Sequence, residues 1–464
     1  MKKKETSKPS KELLLTRVFW EDQLNKEIVR EYRNKFRTSE NFCLIYSTQD
    51  QLDKLFTQFS NQEKEQWKVF RDAFGRYYRW KRDNLELVAV WTQFDKESFK
   101  EFFQVNYEFT HRHFSLASYS WNCLTKHHGT WQAFTKNFFS IRNSHLDMIC
   151  QSHYGGTLGP WLQTFQTGEY PNVYKIDINS CYNYHLGYSR LPVGHYEEIR
   201  GQQAIKEALT KGREGFLYFQ LISNNNYYRG THYPWFPIER NDKKIWPEQI
   251  PSGTYLIHTC LFSHLQTDYS LNIRHLKFFA FEHQAGILKE FSDYYYTKKI
   301  EHRKGTWQNI IGKAVPNLIV GSFGKHYYRY EYQWEKGQLV NKKKQLRNGS
   351  SYLHLMATIH AQALQQVLTE IKKYKKEDVL AVRIDCLILK IPPQHTTISQ
   401  KLGEWKLQEV KSAKFYDANR LDLDGEILAH GFKIIERREN SVLVERQYYK
   451  EDGRLETKQY WKEL

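Results

Sequence analysis

The chain is poor in cysteine, in acid relative to base, and in long apolar runs. Its six cysteines, Cys43, Cys123, Cys150, Cys181, Cys260 and Cys386, form no C-x-x-C pair and no zinc spacing. A reduced, cytoplasmic-type compartment is the simpler reading. No apolar run approaches the roughly 18 residues that span a bilayer. Met1 to Lys11 is polar and lysine-rich without an apolar core, so it reads as a basic tail and not as a secretory signal. There are no internal repeats. Against 69 Lys+Arg stand only 52 Asp+Glu, a formal net charge of +17. Such an excess selects a polyanion as partner, nucleic acid before a membrane surface. The aromatic content (13 Trp, 32 Tyr and 28 Phe) supplies ring faces that stack on bases. Together with a charged fraction of 26%, it excludes a disordered chain.

The 464 residues amount to two to four domain-equivalents. Residues 12–36 carry apolar positions at helical spacing. Phe42–Tyr46 reads as a strand, Gln51–Phe59 and Glu63–Trp80 as helices, and Leu85–Trp91 as a strand. From Glu97 to His153 the pattern is helical, with a break near His128-Gly129. Tyr154-Gly155-Gly156 marks a loop and a domain boundary. Beyond it strands dominate: Asn172–Ile178, Phe216–Ser223 and Tyr255–His258. Two helices follow, Ala285–Arg303 and Trp307–Val315. Tyr327–Gln345 reads as a hairpin, Tyr352–Tyr374 as the longest helix and Asp378–Ile391 as one apolar strand around a carboxylate. Short strands fill 403–462.

Three segments carry chemistry. Lys175-Ile-Asp-Ile-Asn-Ser-Cys-Tyr182 and Val382-Arg-Ile-Asp-Cys-Leu-Ile-Leu-Lys390 each set one Asp in an apolar strand. Between them lies Lys313-Ala-Val-Pro-Asn-Leu-Ile-Val-Gly-Ser-Phe-Gly-Lys325, apolar and helical in part. Phosphoryl transfer is served by two divalent cations about 3.5–4 Å apart. Mg²⁺ or Mn²⁺ wants oxygen ligands, which Asp177 and Asp385 supply if their strands are neighbours. Lysines on a helix are donors for a triphosphate. His111, His113, His127 and His128 lie near no carboxylate or cysteine and read as surface residues. The run Lys342-Lys-Lys344 reads equally as a solvated turn and as a DNA-backbone contact.

In order and spacing these segments resemble family B DNA polymerases. Asp177-Ile-Asn-Ser-Cys-Tyr182 is similar to motif A, Asp-x-x-Ser-Leu-Tyr. Tyr188-Ser-Arg-Leu-Pro-Val-Gly194 and His153-Tyr-Gly-Gly156 resemble the protein-primed, phi29-type branch. Lys313-Ala-Val-Pro-Asn317 and Phe323-Gly-Lys325 resemble the two halves of motif B, Lys-x-x-x-Asn-Ser-x-Tyr-Gly. Arg383-Ile-Asp-Cys386 stands where motif C, Asp-Thr-Asp-Ser, falls. Leu402-Gly-Glu-Trp405 and Lys411-Ser-Ala-Lys-Phe415 resemble the segment that follows motif C.

The resemblance implies an α+β right-hand polymerase with an antiparallel palm sheet, helical fingers, a small thumb and a reduced, mainly helical N-terminal domain. The implied layout is a tail at 1–11, an exonuclease-domain remnant at 12–155 and a polymerase domain at 156–464. Within the latter, the palm takes 156–285 and 352–425, the fingers 286–325, a hairpin insertion 326–351 and the thumb 426–464. Asp177, Asp385 and the Ile178 carbonyl would hold two Mg²⁺ or Mn²⁺ ions. Tyr182, Lys313, Asn317, Phe323 and Lys325 would face the deoxynucleotide. Tyr154, Gly155, Gly156, Arg383, Lys414 and Arg420 would face primer and template. The partners implied are template–primer DNA, deoxynucleoside triphosphates and a priming protein, with no membrane.

Three departures qualify this. Arg383 replaces motif C's first Asp and, at i and i+2 of one strand, would lie beside Asp385. The halves of motif B do not fit together without a gap, because counting back from Phe323-Gly324 puts the Lys at Pro316. No Asp-x-Glu strand precedes residue 90, while Trp91-Thr-Gln-Phe-Asp95 resembles a relic of the later proofreading motif and Phe114-Ser-Leu-Ala-Ser-Tyr-Ser-Trp121 a neighbouring segment, so no 3′→5′ exonuclease is expected. Two other readings stay open: a decayed polymerase kept as a nucleic-acid-binding protein, and an enzyme of host–phage conflict that makes DNA without a template.

Overall fold

A computed structural model describes residues 18–21, 23–36, 43–71, 77–83, 85–90, 96–110, 116–126, 129–139, 149, 161–240, 243–324, 328–335, 338–346, 352–417, 420–429, 433–438, 441–449 and 455–463. The principal elements begin with β1 (Val18–Trp20), α1 (Lys26–Phe36), β2 (Cys43–Thr48), α2 (Gln49–Gln58), β3 (Lys68–Arg71), β4 (Tyr77–Arg82) and β5 (Leu85–Val90). Three helices follow, α3 (Lys96–Thr110), α4 (Leu116–Lys126) and α5 (Thr130–Asn137). Next come β6 (Leu162–Thr164), β7 (Gly168–Ile178), α6 (Cys181–Tyr188), β8 (Arg190–Arg200), α7 (Gln202–Thr210) and β9 (Glu214–Leu221). Then come β10 (Gly253–His258), α8 (Thr259–Asp268), β11 (Ile273–Ala285), α9 (Lys289–Glu301), α10 (Trp307–Phe323), β12 (Tyr328–Glu335) and β13 (Gln338–Leu346). The last third holds α11 (Leu353–Ile371), β14 (Val379–Arg383), β15 (Cys386–Leu389), β16 (Trp405–Asp417), β17 (Arg420–Leu423) and β18 (Glu426–Ala429). β19 (Lys433–Arg438), β20 (Ser441–Tyr449) and β21 (Leu455–Glu463) end the chain.

Two compact units divide the chain, each built from several stretches. One comprises residues 1–128, 294–349 and 447–456. It contains a seven-stranded sheet in the order β1-β2-β5-β4-β3-β12-β13. β1–β2 and β2–β5 pair in parallel, and the remaining pairs are antiparallel. A core cluster covers one side, with Leu24, Val29, Ile45, Leu52, Leu55, Trp67 and Leu87 among its members. Beside the sheet, α10 packs on α4 and α3. Gly312 of α10 lies so close to α9 that an added Cβ would stand 2.5 Å from the Lys299 amide. The helix runs unbroken through Pro316 to Phe323.

The reading of Glu63–Trp80 as a helix is overturned. Among the described residues there, the helix Asn61–Lys64 ends at Lys64, and β3 and β4 follow. Likewise, residues 12–36 hold a strand, β1, before the helix α1. β3 exists because it pairs on one side with β4 and on the other with β12, more than 250 residues later, a partner that local periodicity does not reveal.

The other unit comprises residues 129–293, 350–446 and 457–464. Its main sheet is seven-stranded and antiparallel, in the order β18-β17-β16-β7-β15-β14-β6. A second antiparallel sheet runs β10-β9-β11-β8. The helix α11, apolar on nearly every face, is buried along most of its length and packs on α6 and α8. β19 and β20 form an antiparallel hairpin. Among the described residues, no helix is long and apolar enough to cross a membrane. The five cysteines among them form no disulfide with one another.

Candidate active site

β7 is the central strand of the antiparallel sheet, and Asp177 sits near its end between buried Ile176 and Ile178. Its neighbours across the strands are Cys386 on β15 and Lys406 on β16. Asp385 occupies the two-residue tip between β14 and β15, and the Ile178 amide donates to its carbonyl at 2.9 Å. The two Asp residues, remote in sequence, therefore stand on hydrogen-bonded neighbouring segments. The tip is strained. Ile384 adopts φ 63°, a left-handed backbone that a β-branched side chain occupies at a cost of about 1–3 kcal/mol. Its amide donates to the carbonyl of buried Trp161 at 2.8 Å, which holds the turn from the other side.

The sequence reading of Asp378–Ile391 as one strand is thus corrected to a hairpin. The chain reverses at Ile384-Asp385, so the same-face rule for residues i and i+2 does not apply to Arg383 and Asp385. Arg383 instead pairs with Leu162 and Cys386, and its guanidinium donates to the Thr164 hydroxyl at 2.7 Å. The expectation that this guanidinium lies beside the carboxylate is overturned for that reason.

Charge at the site is unbalanced. Burial first, and then the nearby Asp177 carboxylate, push the Asp385 carboxyl up to about 7, while Lys406 and Lys175 pull it down. Both carboxylates, after burial, also hold the Cys181 thiol in its protonated form. The Lys406 ammonium contacts Asp177 Oδ2 at 2.6 Å. Among the described residues no cluster of three or more His, Cys, Asp or Glu is arranged to hold a metal. The acidic donors here are two. Two hard oxygen donors whose negative charges resist one another fit a divalent cation such as Mg²⁺.

Behind the carboxylates, Asn179 ties the end of β7 to the 400–404 loop. Its side-chain amide donates to the Gln400 carbonyl at 2.6 Å, and its main-chain carbonyl accepts from the Gly403 amide. Tyr182, on the first turn of α6, stacks on His360 of α11 with ring centroids 4.9 Å apart. Gly187 allows α6 to meet the start of α9, since a Cβ there would lie 2.3 Å from Ser292 Cβ. Two hydrogen bonds clamp that contact, Ser292 Oγ to the Asn183 carbonyl at 2.8 Å and Asn183 Nδ2 to the Ser292 carbonyl at 3.1 Å.

On α10, Lys313 and Asn317 are exposed and one turn apart, with Gly321 one turn further. Pro316 and Val320, the positions reached by counting back from Phe323-Gly324, are buried. Lys313-x-x-x-Asn317-x-x-Val320-Gly321 fits the motif B spacing without a gap, with Val320 at the place of the Tyr. The misleading signal is the aromatic-glycine pair Phe323-Gly324, three residues beyond Val320-Gly321. Phe323 is buried, its ring edge-on to Trp121 at 6.3 Å. Its sequence-assigned place against a base pair is therefore corrected to a core position. Lys414 pairs with Glu169 at 2.8 Å, and Arg420 lies at the start of β17 opposite Asp417. Tyr154, Gly155, Gly156, Lys325, the 91–95 relic and the four surface histidines lie outside the described residues. Neither His360 nor Lys406 belongs to a motif: strand register brings Lys406 opposite Asp177, and the packing of α11 brings His360 onto Tyr182.

The profile of the family described as DNA polymerase type B, organellar and viral, matches residues 23–401. No curated protein matches the chain. Among solved structures, the orthorhombic crystal form of phi29 DNA polymerase is similar at 14% identity and TM-score 0.69, covering 86% of this chain and 83% of that one. Phi29 DNA polymerase with primer-template DNA and incoming nucleotides is similar at 13% identity and TM-score 0.67, over 93% and 92% of the two chains. At these identities the likeness shows the fold, a right-hand polymerase of mixed α and β structure.

Proposed function

The chain belongs to the type B DNA polymerases of organelles and viruses, a DNA-directed DNA polymerase by class, and from that premise we propose that Asp177 and Asp385 carry nucleotide addition to a primer 3′-hydroxyl. The observation that supports this most is their apposition on neighbouring segments, with the Asp385 carboxyl raised to about 7 by burial and by Asp177. The family uses divalent ions, and two Mg²⁺ or Mn²⁺ held by Asp177, Asp385 and the Ile178 carbonyl would, when bound, polarise the attacking hydroxyl and the leaving oxygen. The primer O3′ attacks the α-phosphorus of a deoxynucleoside triphosphate. A new P–O bond forms, the α–β bridge breaks, and pyrophosphate leaves. The chain's own residues position the reactants. Tyr182, braced by His360, excludes a 2′-hydroxyl. Lys313 and Asn317 receive the triphosphate from the exposed face of α10, and Lys325 follows them. Arg383, Lys414, Arg420 and the Tyr154-Gly155-Gly156 segment serve primer and template.

The partners in this reading are template–primer DNA and deoxynucleotides, as in the solved phi29 complex with both. A priming protein is part of the reading through the phi29-type motifs alone. No 3′→5′ proofreading accompanies synthesis. The competing reading, a silent DNA-binding relative, draws on one observation, the Lys406 ammonium lodged on Asp177. Primer extension separates the two. Asp385→Ala should lower incorporation by about 10³-fold, a loss of about 4 kcal/mol in transition-state stabilisation, while leaving DNA binding in place. Equal incorporation by both proteins eliminates the site.

A further inference from the structure

Two carboxylates at one site normally call for external cations, yet this chain brings a cation of its own. Lys406 stands directly across from Asp177 in the β7–β16 register, and its Nζ lies 2.6 Å from Oδ2. Asp177 is mostly covered, with 21% of its side chain exposed, while Lys406 keeps 42% exposed. A lysine is a compact, strongly hydrated charge on a flexible stem, and one with that exposure can leave its partner for water at small cost. Of the other basic residues nearby, Arg383 donates to Thr164 on β6, and Lys175 lowers the Asp385 carboxyl through its charge. Among the described residues, Lys406 is the cation in ion-pair contact with Asp177.

Resting on the metal-site reading above, we infer that Lys406 is a resident counter-cation that competes with divalent metal for Asp177. A divalent ion that takes Asp177 Oδ2 must displace the ammonium, because the two cannot share an oxygen at contact distance without mutual repulsion. The site therefore loads unequally. An ion that leans on Asp385 enters against little competition, and one that needs Asp177 enters only as Lys406 withdraws. Lys406 acts through Asp177 and is a positioning residue, so its test needs a readout other than turnover.

That test is Mn²⁺ titration of the full chain, without DNA or nucleotide, followed by the electron paramagnetic resonance signal of free Mn²⁺. Wild type is compared with Lys406→Met, which keeps the length of the stem, and with Lys406→Arg, which keeps the charge. The inference predicts Mn²⁺ binding about tenfold tighter in Lys406→Met, near wild-type binding in Lys406→Arg, and loss of the gain when Asp177→Asn is added. The half-saturating Mg²⁺ for primer extension should fall by a similar factor. Lys406→Gln with the same thermal melting as wild type serves if Lys406→Met does not fold. Unchanged Mn²⁺ affinity in the uncharged variants, with binding still lost in Asp385→Asn, overturns the inference and leaves the metal site standing. Mn²⁺ binding untouched by Asp177→Asn and by Asp385→Asn overturns both.

Discussion

At the scale of the residue, the site depends on side chains that brace one another. Tyr182 keeps its place because His360 stacks on it. Truncating His360 to Ala frees the ring, so His360→Ala should raise ribonucleotide use by about tenfold, equivalent to about 1.4 kcal/mol of lost discrimination. Competition between ribo- and deoxynucleotides in single-nucleotide extension reads this directly, and unchanged selectivity counts against a bracing role. A second residue-scale expectation concerns pH. His258, His283 and His354 are buried together between β10, β11 and α11, and burial holds each neutral. His283 is pushed down to about 4 and His354 to about 3. The groups facing them are each other, the Phe281 ring, the Glu214 carboxylate at 3.7 Å from His283 Nδ1, and Arg190. In the unfolded chain a histidine titrates near 6.5. The unfolded state therefore binds more protons at any pH between about 4 and 6.5, and stability is full above that window and falls as pH drops through it. The free energy of unfolding should decline between pH 6.5 and 4.5 by up to about 1.4 kcal/mol per pH unit for each histidine, read as a falling melting temperature in thermal melts across that range. His354→Leu should flatten the decline.

At the scale of the element, the sequence was legible wherever local chemistry decides the outcome. The α11 helix, the β7 strand and the β12–β13 hairpin follow from periodicity and turn residues. The β14–β15 hairpin does not, because the left-handed position of its turn falls on β-branched Ile384 and not on Asp385, the turn-favouring member of the pair, with the Trp161 and Ile178 hydrogen bonds holding the tip on either side. Motif B was misaligned because a strip of apolar residues with two glycines gives no register until burial separates Val320 from Asn317. The close approach of α6 to α9 at Gly187 was equally silent in the sequence. Gly187→Ala should cost about 1–3 kcal/mol by forcing Ser292 away and breaking its bonds to Asn183. A thermal melt measures this, and a melting temperature equal to wild type contradicts the clamp.

At the scale of the whole molecule, the chain's route is what sequence reading cannot supply. Each compact unit is assembled from stretches that lie far apart, and the sheet that begins at Val18 is completed by strands after Tyr328. The pairing of β3 with β12 is written in no local pattern. What the whole sequence does announce is its charge. A net +17 predicts DNA binding that weakens by about 10³-fold between about 50 and 200 mM salt, and filter binding across that range would expose a flat response. In the acidic pair this basic chain sets two carboxylates close together, with the Lys406 ammonium on Asp177. The most direct test of that arrangement is anomalous diffraction from crystals soaked in Mn²⁺ with primer–template DNA and a non-hydrolysable deoxynucleotide. The account predicts a manganese peak bridging the Asp177 and Asp385 carboxylates. A peak elsewhere, or none, with both carboxylates ordered, would contradict it.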